Sequence, residues 1–266
     1  GWWVGVKVNA VSSVTLRHLH FEAGVAASGI AVQVNSGANV LIQDTLVTNS
    51  SGARPLAGIN IVACGDVSME CCQWIQCANG GLINPGAGQV VTSVRGVNCF
   101  FDNCGTYGLI VQPSSATGTA QRSQFTQCWF SSAGTTGILL DAASNSSTID
   151  GFEFIAPEVY LNGSHGINVQ KAINTKIIGG KVAGNGGQGM LFGANTVSFD
   201  VIGVTSGPVS GITFNTGNAL QIAAGTSSNF LIAGCELRNT GGGGVISDSS
   251  TGTNRRKIDN RGYNPA

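Results

Sequence analysis

Two acidic and three aromatic side chains recur at a matching spacing in the middle of the chain. Trp129 follows Phe100 by 29 residues, Glu158 follows Trp129 by another 29, and Asp102 and Tyr160 stand two residues beyond Phe100 and Glu158. Aromatic rings suit the faces of sugars, and carboxylates suit sugar hydroxyls. Two carboxyl groups about 6.5 to 9.5 Å apart also serve inverting glycoside hydrolysis. We therefore predict Phe100, Trp129 and Tyr160 as glycan-binding residues and Asp102 and Glu158 as a catalytic pair.

The elements that would align these residues are short repeated strands. A Gly followed by an aliphatic residue or Met recurs every 22 to 33 residues, and further apolar residues alternate after it. This alternation indicates a strand with one buried face, and units this short must stack on their neighbours to close a core. We predict an all-β fold, a right-handed parallel β-helix of about nine rungs; a β-sandwich with Gly in its turns is the alternative. The pairs are Gly29-Ile30, Gly58-Ile59, Gly81-Leu82, Gly108-Leu109, Gly137-Ile138, Gly166-Ile167, Gly189-Met190, Gly211-Ile212 and Gly244-Val245.

A second inward strand precedes each Gly. Seven residues before it stand Trp74, Phe101, Phe130, Val159, Val182, Val204 and Leu237, and nine before it stand Cys72, Cys99, Cys128 and Cys235. The positions between and after these rows point outward, and they hold the five candidate site residues. Rungs of a parallel sheet lie about 4.8 Å apart, so the α carbons of Asp102 and Glu158 should be about 10 Å apart. The alternative is that these aromatics pack under a loop or against a neighbouring subunit.

An outward aliphatic row predicts contact between subunits. Two residues after the Gly stand Ile83, Ile110, Leu139 and Leu191, a stripe that solvent does not favour. A cyclic homotrimer packed along its long axis would bury this row, and we predict these four residues at the subunit interface. Cover by the chain's own loops is the alternative.

Composition and charge exclude several classes of function. Gly accounts for 40 of 266 residues, and 13 basic residues balance 13 acidic ones, so no net field steers the chain to nucleic acid or an anionic membrane. No apolar run is long enough to cross a bilayer, and we expect no membrane insertion. Arg255, Arg256, Lys257 and Arg261 cluster near the end. We predict a β-helix domain over 1–254 and a solvated tail over 255–266.

The eight cysteines and the few histidines do not predict a cofactor or metal. Cys77 and Cys104 share one phase on adjacent rungs, within reach of a disulfide, but packed free thiols are favoured. No CxxC pair is present to suggest zinc. His18 and His20 alternate on one strand without a third ligand in phase, which favours a structural role. The start at Gly1-Trp2-Trp3 suggests a processed product or an excised fragment.

The rungs, the opening and the ending of the chain carry a family resemblance. Trp3-Val4-Gly5-Val6-Lys7-Val8 resembles the entry into such coils, and Asn260-Arg261-Gly262-Tyr263-Asn264-Pro265 is similar to the ending of many phage β-helix proteins. The whole chain resembles right-handed β-helix proteins of the pectate-lyase-like superfamily, and within it the tailspikes and tail fibres of bacteriophages. That resemblance implies a homotrimer on a virion, associated with other tail proteins, which binds and often cleaves a bacterial surface polysaccharide.

The motifs of the superfamily's enzymes are mostly missing. The Asn-Thr-Asp, Asp-Asp, Gly-His-Gly and Arg-Ile-Lys blocks of polygalacturonases have no counterpart here, apart from a faint similarity of Ser164-His165-Gly166 to one of them. The calcium-binding carboxylates of pectate lyases also have no evident counterpart. The leading hypothesis is therefore an extracellular virion protein that recognises, and in some cases depolymerises, a surface polysaccharide. A purely structural virion coil and a monomeric secreted polysaccharide hydrolase or lyase are the alternatives.

Overall fold

The computed structural model describes residues 3–23, 28–49, 52–143, 146–209, 211–238 and 245–262. Their strands form a 19-stranded sheet and a nine-stranded sheet, and the pairings between successive strands are parallel. The chain is thus an all-β parallel coil of about nine turns, and the described residues contain no α-helix. This confirms the predicted β-helix and excludes the β-sandwich.

Each turn of the coil has three sides, which we call the first, second and third faces in chain order. The first face contains the leading halves of Val4–Arg17 and Ile30–Gln43, then Ala57–Ile61, Asn79–Ile83, Tyr107–Val111, Thr136–Asp141, Ile167–Gln170, Met190–Phe192, Leu220–Gly225 and Ile246–Ser250. The second face contains the trailing halves of those two long strands, then Val67–Glu70, Val90–Thr92, Val94–Val97, Thr119–Thr126, Thr148–Ile155, Lys176–Ile178, Asp200–Ile202, Phe230–Ala233 and Arg255–Ile258. The third face contains His20–Ala23, Leu46–Asn49, Gln73–Ile75, Phe100–Asp102, Trp129–Ser131, Glu158–Tyr160, Lys181–Ala183, Thr205–Ser206 and Glu236–Leu237.

A residue with left-handed backbone follows each strand of the second face and turns the chain towards the third face. Its φ lies between 48° and 65° in ten successive places: His18, Asp44, Cys71, Asn98, Gln127, Ala156, Gly179, Gly203, Gly234 and Asp259. Side chains other than Gly disfavour this conformation by roughly 1 to 2 kcal/mol. Most of these residues are nevertheless not Gly, so the stacking of the coil maintains the corner. The corner is tight, since only two residues separate the strands of the two faces.

Inward side chains of the same type stack from rung to rung and form one continuous core. The Phe101 and Phe130 rings lie 4.9 Å apart and nearly parallel, and the Phe125 and Phe154 rings lie 5.6 Å apart. All four rings are fully buried. Burial of a side chain of this size contributes roughly 1.5 to 3 kcal/mol. The predicted inward rows are therefore confirmed over most of the chain.

A row of glycines marks the corner where the first face begins. Gly58, Gly80, Gly108, Gly137 and Gly166 occupy it in successive rungs. A Cβ atom on any of them would lie only 2.6 to 2.8 Å from a carbonyl oxygen of the next rung. Gly fits this close approach between backbones without any shift of the neighbouring rung, which explains why the residue recurs through the middle of the coil.

The register of this row differs from the prediction in two early rungs. Ile59 pairs with Gly81, so Gly80 and not Gly81 belongs to the row. Ile30 pairs with Ala57, so Ala31 takes the place that was predicted for Gly29. In the sequence, Gly81 is as good a candidate for the row as Gly80, and Gly29 is a better one than Ala31. Only the hydrogen-bond register shows which residue belongs to the row.

The register also differs near the end of the coil. Met190 pairs with Leu220, so Ala219 occupies the glycine row, whereas Gly211 and Ile212 lie in the preceding loop. Phe214 in that loop is likewise outside the core rows. On the third face Ser206, and not Val204, pairs with Val182. Gly244 lies outside the described residues, as do Gly1, Trp2 and the Tyr263-Asn264-Pro265 ending.

The segment predicted as a solvated tail begins with a strand. Arg255–Ile258 pairs in parallel with Phe230–Ala233, and Arg261 bridges to Glu236. The basic residues of this segment therefore belong to the last rung of the coil, and the boundary predicted at residue 254 does not coincide with the end of the sheet.

Candidate functional site

The five predicted site residues lie on the outer side of the third face, and we call them the aromatic strip: Phe100, Asp102, Trp129, Glu158 and Tyr160. Parallel pairing aligns Phe100 with Trp129 and Trp129 with Glu158. The same pairing aligns Asp102, through the intervening serine, with Tyr160. The structure thus brings all five together in the predicted register on three consecutive rungs.

The rings of the strip are in contact but differ in exposure. The Phe100 and Trp129 centroids lie 6.3 Å apart with planes inclined by 29°, and the Tyr160 ring meets Trp129 edge to face at 5.0 Å. Phe100 is 44 % exposed and Trp129 is half-buried, whereas Tyr160 is only 3 % exposed. Phe100 and Trp129 therefore offer aromatic surface to a ligand, while Tyr160 supports Trp129 from the side and does not present its own face.

Hydrogen bonds hold the Asp102 carboxylate and the Trp129 indole in place. The indole N–H of Trp129 donates to the Ser131 hydroxyl, which in turn donates to Asp102 Oδ1. This chain across two rungs orients both the ring and the acid. Because the second Asp102 oxygen is not used by Ser131, the carboxylate keeps acceptor capacity for a ligand hydroxyl.

Glu158 lies between a buried phenol and a surface ammonium. Burial raises the pKa of the Tyr160 hydroxyl, and the charge of Glu158 and its hydrogen bond with Tyr160 raise it further. Lys181 Nζ lies 3.9 Å from Glu158 Oε1, and both side chains are well exposed. Trp129 and Ser131 lie on the rung between Asp102 and Glu158. The strip therefore resembles a surface that binds hydroxyl groups, and the catalytic role of the two acids remains a prediction.

The predicted interface row is largely buried within a single chain. Ile83 pairs with Val111 and is 1 % exposed, so it lies in the core, and Leu82 takes the outward position. Ile110 and Leu139 are only 5 % and 7 % exposed. The prediction was wrong for Ile83 because its rung was counted from Gly81. The side chains of Ile110 and Leu139 already have cover that the sequence did not reveal.

A groove on the first face was not predicted from the sequence. It has a volume of about 510 Å³, and Leu82 and Ile110 are among its apolar lining residues. Tyr107, Pro113 and Gln112 also line it, and none of the lining residues carries a charge. The sequence does contain the apolar residues Leu82 and Ile110, each two positions after a glycine of the row. They align with each other only when the earlier rung is counted from Gly80 and not from Gly81.

The cysteines are free thiols, and most of them are buried in the coil. Cys72, Cys99 and Cys128 stack in the core as predicted, and Cys77 and Cys104 are buried without a disulfide. Burial raises the pKa of Cys77 well above its ordinary value and that of Cys104 to about 12. These thiols are therefore protonated and protected from solvent.

Neither a metal centre nor a membrane segment is found in the part of the chain that the structure describes. No three or more His, Cys, Asp or Glu side chains are grouped there to hold a metal ion. His18 instead lies 3.6 Å from Asp44, and His20 is 3.2 Å from the Thr48 hydroxyl. The same described residues include no helix with the length and apolar character needed to cross a bilayer.

Comparison with known proteins identifies the family. The family model described as "Right handed beta helix region" matches residues 116–263, more than half of the chain. The chain belongs to this right-handed β-helix family. No curated protein matches the sequence.

Similar solved structures share the fold at low sequence identity. The Azotobacter vinelandii mannuronan C-5 epimerase AlgE6 A-module has a TM-score of 0.51 and 10 % identity, with 96 % of this chain and 91 % of that chain covered. A double mutant of the periplasmic alginate epimerase AlgG has a TM-score of 0.53 and 12 % identity, with 93 % and 76 % covered. The Dettilon tailspike protein (gp208) has a TM-score of 0.49 and 11 % identity, with 93 % and 60 % covered. At these identities the likeness extends to the fold alone.

Proposed function

We propose that this chain is a phage tail spike or tail fibre module that binds a bacterial surface polysaccharide through the aromatic strip. One observation carries the proposal: an exposed Phe100 ring lies beside the Trp129 ring, and a hydrogen-bonded Asp102 stands next to both on a rigid parallel coil. Sugar rings stack on such aromatic surfaces, and their hydroxyls donate to such carboxylates. The similarity of the ending after Asn260 to phage β-helix proteins supports placing this module on a virion, outside the host cell.

Recognition, and not cleavage, is the function that the strip supports best. Asp102 accepts a hydrogen bond from Ser131, and Glu158 interacts with Tyr160 and lies near Lys181. These contacts hold the two acids as acceptors. Depolymerisation by Asp102 and Glu158 is a second step of the same proposal, and a change in polymer length tests it separately from binding.

A screen of purified polysaccharides tests the proposed function. The panel consists of capsular polysaccharides, lipopolysaccharide O-antigens and alginate, the last because two fold neighbours are named as alginate or mannuronan epimerases. We expect at least one polymer to bind at micromolar concentration and to compete with its own oligosaccharides. Size-exclusion chromatography of the incubated polymer then reports cleavage. Lack of binding across a panel drawn from many bacterial hosts would contradict the proposal, whereas binding without shortening would assign recognition alone.

A further inference from the structure

A stripe of uncharged side chains runs along the outer side of the second face. The strand register places its members one above another over seven consecutive rungs, next to the tight corner. Six steps of about 4.8 Å give it a length of roughly 29 Å. We call it the isoleucine stripe: Val97, Thr126, Ile155, Ile178, Ile202, Ala233 and Ile258.

The chain does not cover this stripe. Val97 and Ile258 are 38 % and 40 % exposed, and every member between them retains partial exposure. This contrasts with Ile110 and Leu139 of the first face, which are buried within one chain. Only two residues separate each of the first six stripe members from the next strand of the third face, so no loop arises on that side to fold over the stripe. A continuous row of uncharged and mostly aliphatic side chains left open to water marks a contact surface.

The distribution of charge indicates what covers the stripe. The neighbouring outward row of the second face alternates in sign: Arg95, Gln124, Glu153, Lys176, Asp200, Leu231 and Arg256. In an assembly whose rotation axis runs parallel to the coil, each residue meets its own equivalent at the same height. A charged row on that axis would oppose like charges at several heights, which is destabilising. The isoleucine stripe has no charge on any of its rungs and meets itself without this penalty.

We propose that copies of this chain associate side by side, with their coils parallel, through the isoleucine stripe. The contact begins at Val97, because the rung before it places Glu70 in the same row, where symmetric copies would bring carboxylates together. This inference refines the homotrimer predicted from the sequence and places its interface on the second face and not on the first. It is independent of glycan binding, because association is measured without polysaccharide.

Light scattering on purified full chain tests the association. We expect the wild type to elute as an oligomer at micromolar concentration, and Ile178→Lys to weaken association at least tenfold, because it places like charges on the axis. The matched control is Gln221→Lys, which adds the same charge on the outer side of the first face and should leave the oligomer unchanged. Circular dichroism establishes that both variants fold. A monomeric wild type, or a folded Ile178→Lys protein with unchanged association, would overturn the proposal.

Cross-linking tests the parallel arrangement without depending on Ile178→Lys. The exposed Cys71 is first removed as Cys71→Ser, since the other native thiols are buried. Ile202→Cys in that background should form a disulfide between copies under mild oxidation, because each Ile202 faces its own equivalent across the axis. Gln221→Cys in the same background serves as control and should stay uncross-linked. Failure of Ile202→Cys to cross-link in a protein that remains oligomeric would refute the parallel contact, whatever the outcome of the polysaccharide screen.

Discussion

The Lys257 ammonium lies 2.7 Å from the Asp248 carboxylate in the last rung of the coil. Asp248 is in register with the buried Ile222, and Lys257 with the buried Ile232, so both charges occupy rows that are apolar in the preceding rungs. Arg255 adds a second contact to Asp248 at 3.3 Å. An ion-paired rung here presents a polar end to solvent, as terminal repeats of solenoids do.

Loss of this pair should destabilise the end of the coil. We expect Asp248→Asn to lower the free energy of unfolding by roughly 1.5 to 3 kcal/mol, the scale of a hydrogen bond to a charged group. The control is Glu236→Gln, which removes an exposed ion pair with Arg238 and should cost under about 1 kcal/mol. Urea titration followed by circular dichroism measures both. Equal losses of unfolding free energy in the two variants would argue against a stabilising role for the ion-paired last rung.

The same carboxylate should make stability depend on acid. Burial raises the pKa of Asp248, but hydrogen bonds from Lys257 and Ser250 outweigh burial, and the pKa lies below its ordinary value. A lowered pKa in the folded state contributes stability above the unfolded value of about 3.9, and this contribution is lost as pH falls through the folded value. We expect the difference in unfolding free energy between wild type and Asp248→Asn to shrink below pH 4. A difference that stays constant down to pH 2 would exclude this titration.

In the middle rungs of the coil, a side chain in the glycine row should cost stability. In Gly108→Ala the new Cβ would lie 2.6 Å from the Gly137 carbonyl oxygen, so the backbones of two rungs must move apart. We expect destabilisation of about 1 to 3 kcal/mol. Gly65→Ala is the matched control, since the nearest atom to its Cβ is 3.6 Å away. Thermal unfolding compares the variants, and a tolerated Gly108→Ala would mean that the row has another origin.

Replacement of the two acids separates cleavage from recognition. Wherever the wild type shortens a polysaccharide, Glu158→Gln should lower the rate about 10²- to 10⁴-fold yet preserve affinity, because an acid or base is lost without a change of shape. Asp102→Asn should have a comparable effect on the rate. Polymer length over time provides the measurement. Unimpaired cleavage by both variants would eliminate Asp102 and Glu158 as the catalytic pair.

The coil and the aromatic strip were predictable because both depend on repetition. Stacked residues such as Phe101 and Phe130 keep one phase and one type from rung to rung, and this identifies inward rows without any structure. The same repeat predicts that Phe100 and Trp129 lie next to each other on the outer side of the coil. The solvent exposure of each outward side chain could not be predicted from the spacing. Tyr160 shares the outward phase yet is buried, because its cover depends on neighbours that the spacing does not describe.

The sequence does not predict the register or the corners of the coil where neighbouring residues allow more than one alignment. Ile83 was placed outside because Gly80 and Gly81 offer two registers, and a slip of one residue exchanges the two sides of a strand. The corner residues were not recognised, since Asn98, Gln127 and Ala156 share a backbone conformation but no side-chain chemistry. The isoleucine stripe is not evident in the sequence, because the number of residues between the row glycine and the second face varies from rung to rung.

The affinity of Trp129→Ala for the polysaccharide selected in the screen tests the central claim most directly. Isothermal titration should show binding weakened by roughly 1 to 3 kcal/mol relative to wild type, the scale of an aromatic at the centre of a contact. Tyr107→Ala, which removes an aromatic from the first-face groove, should bind as wild type does, and both variants should retain the oligomer in light scattering. Unchanged affinity of Trp129→Ala, or its dissociation into monomers, would contradict the assignment of the aromatic strip as the polysaccharide site.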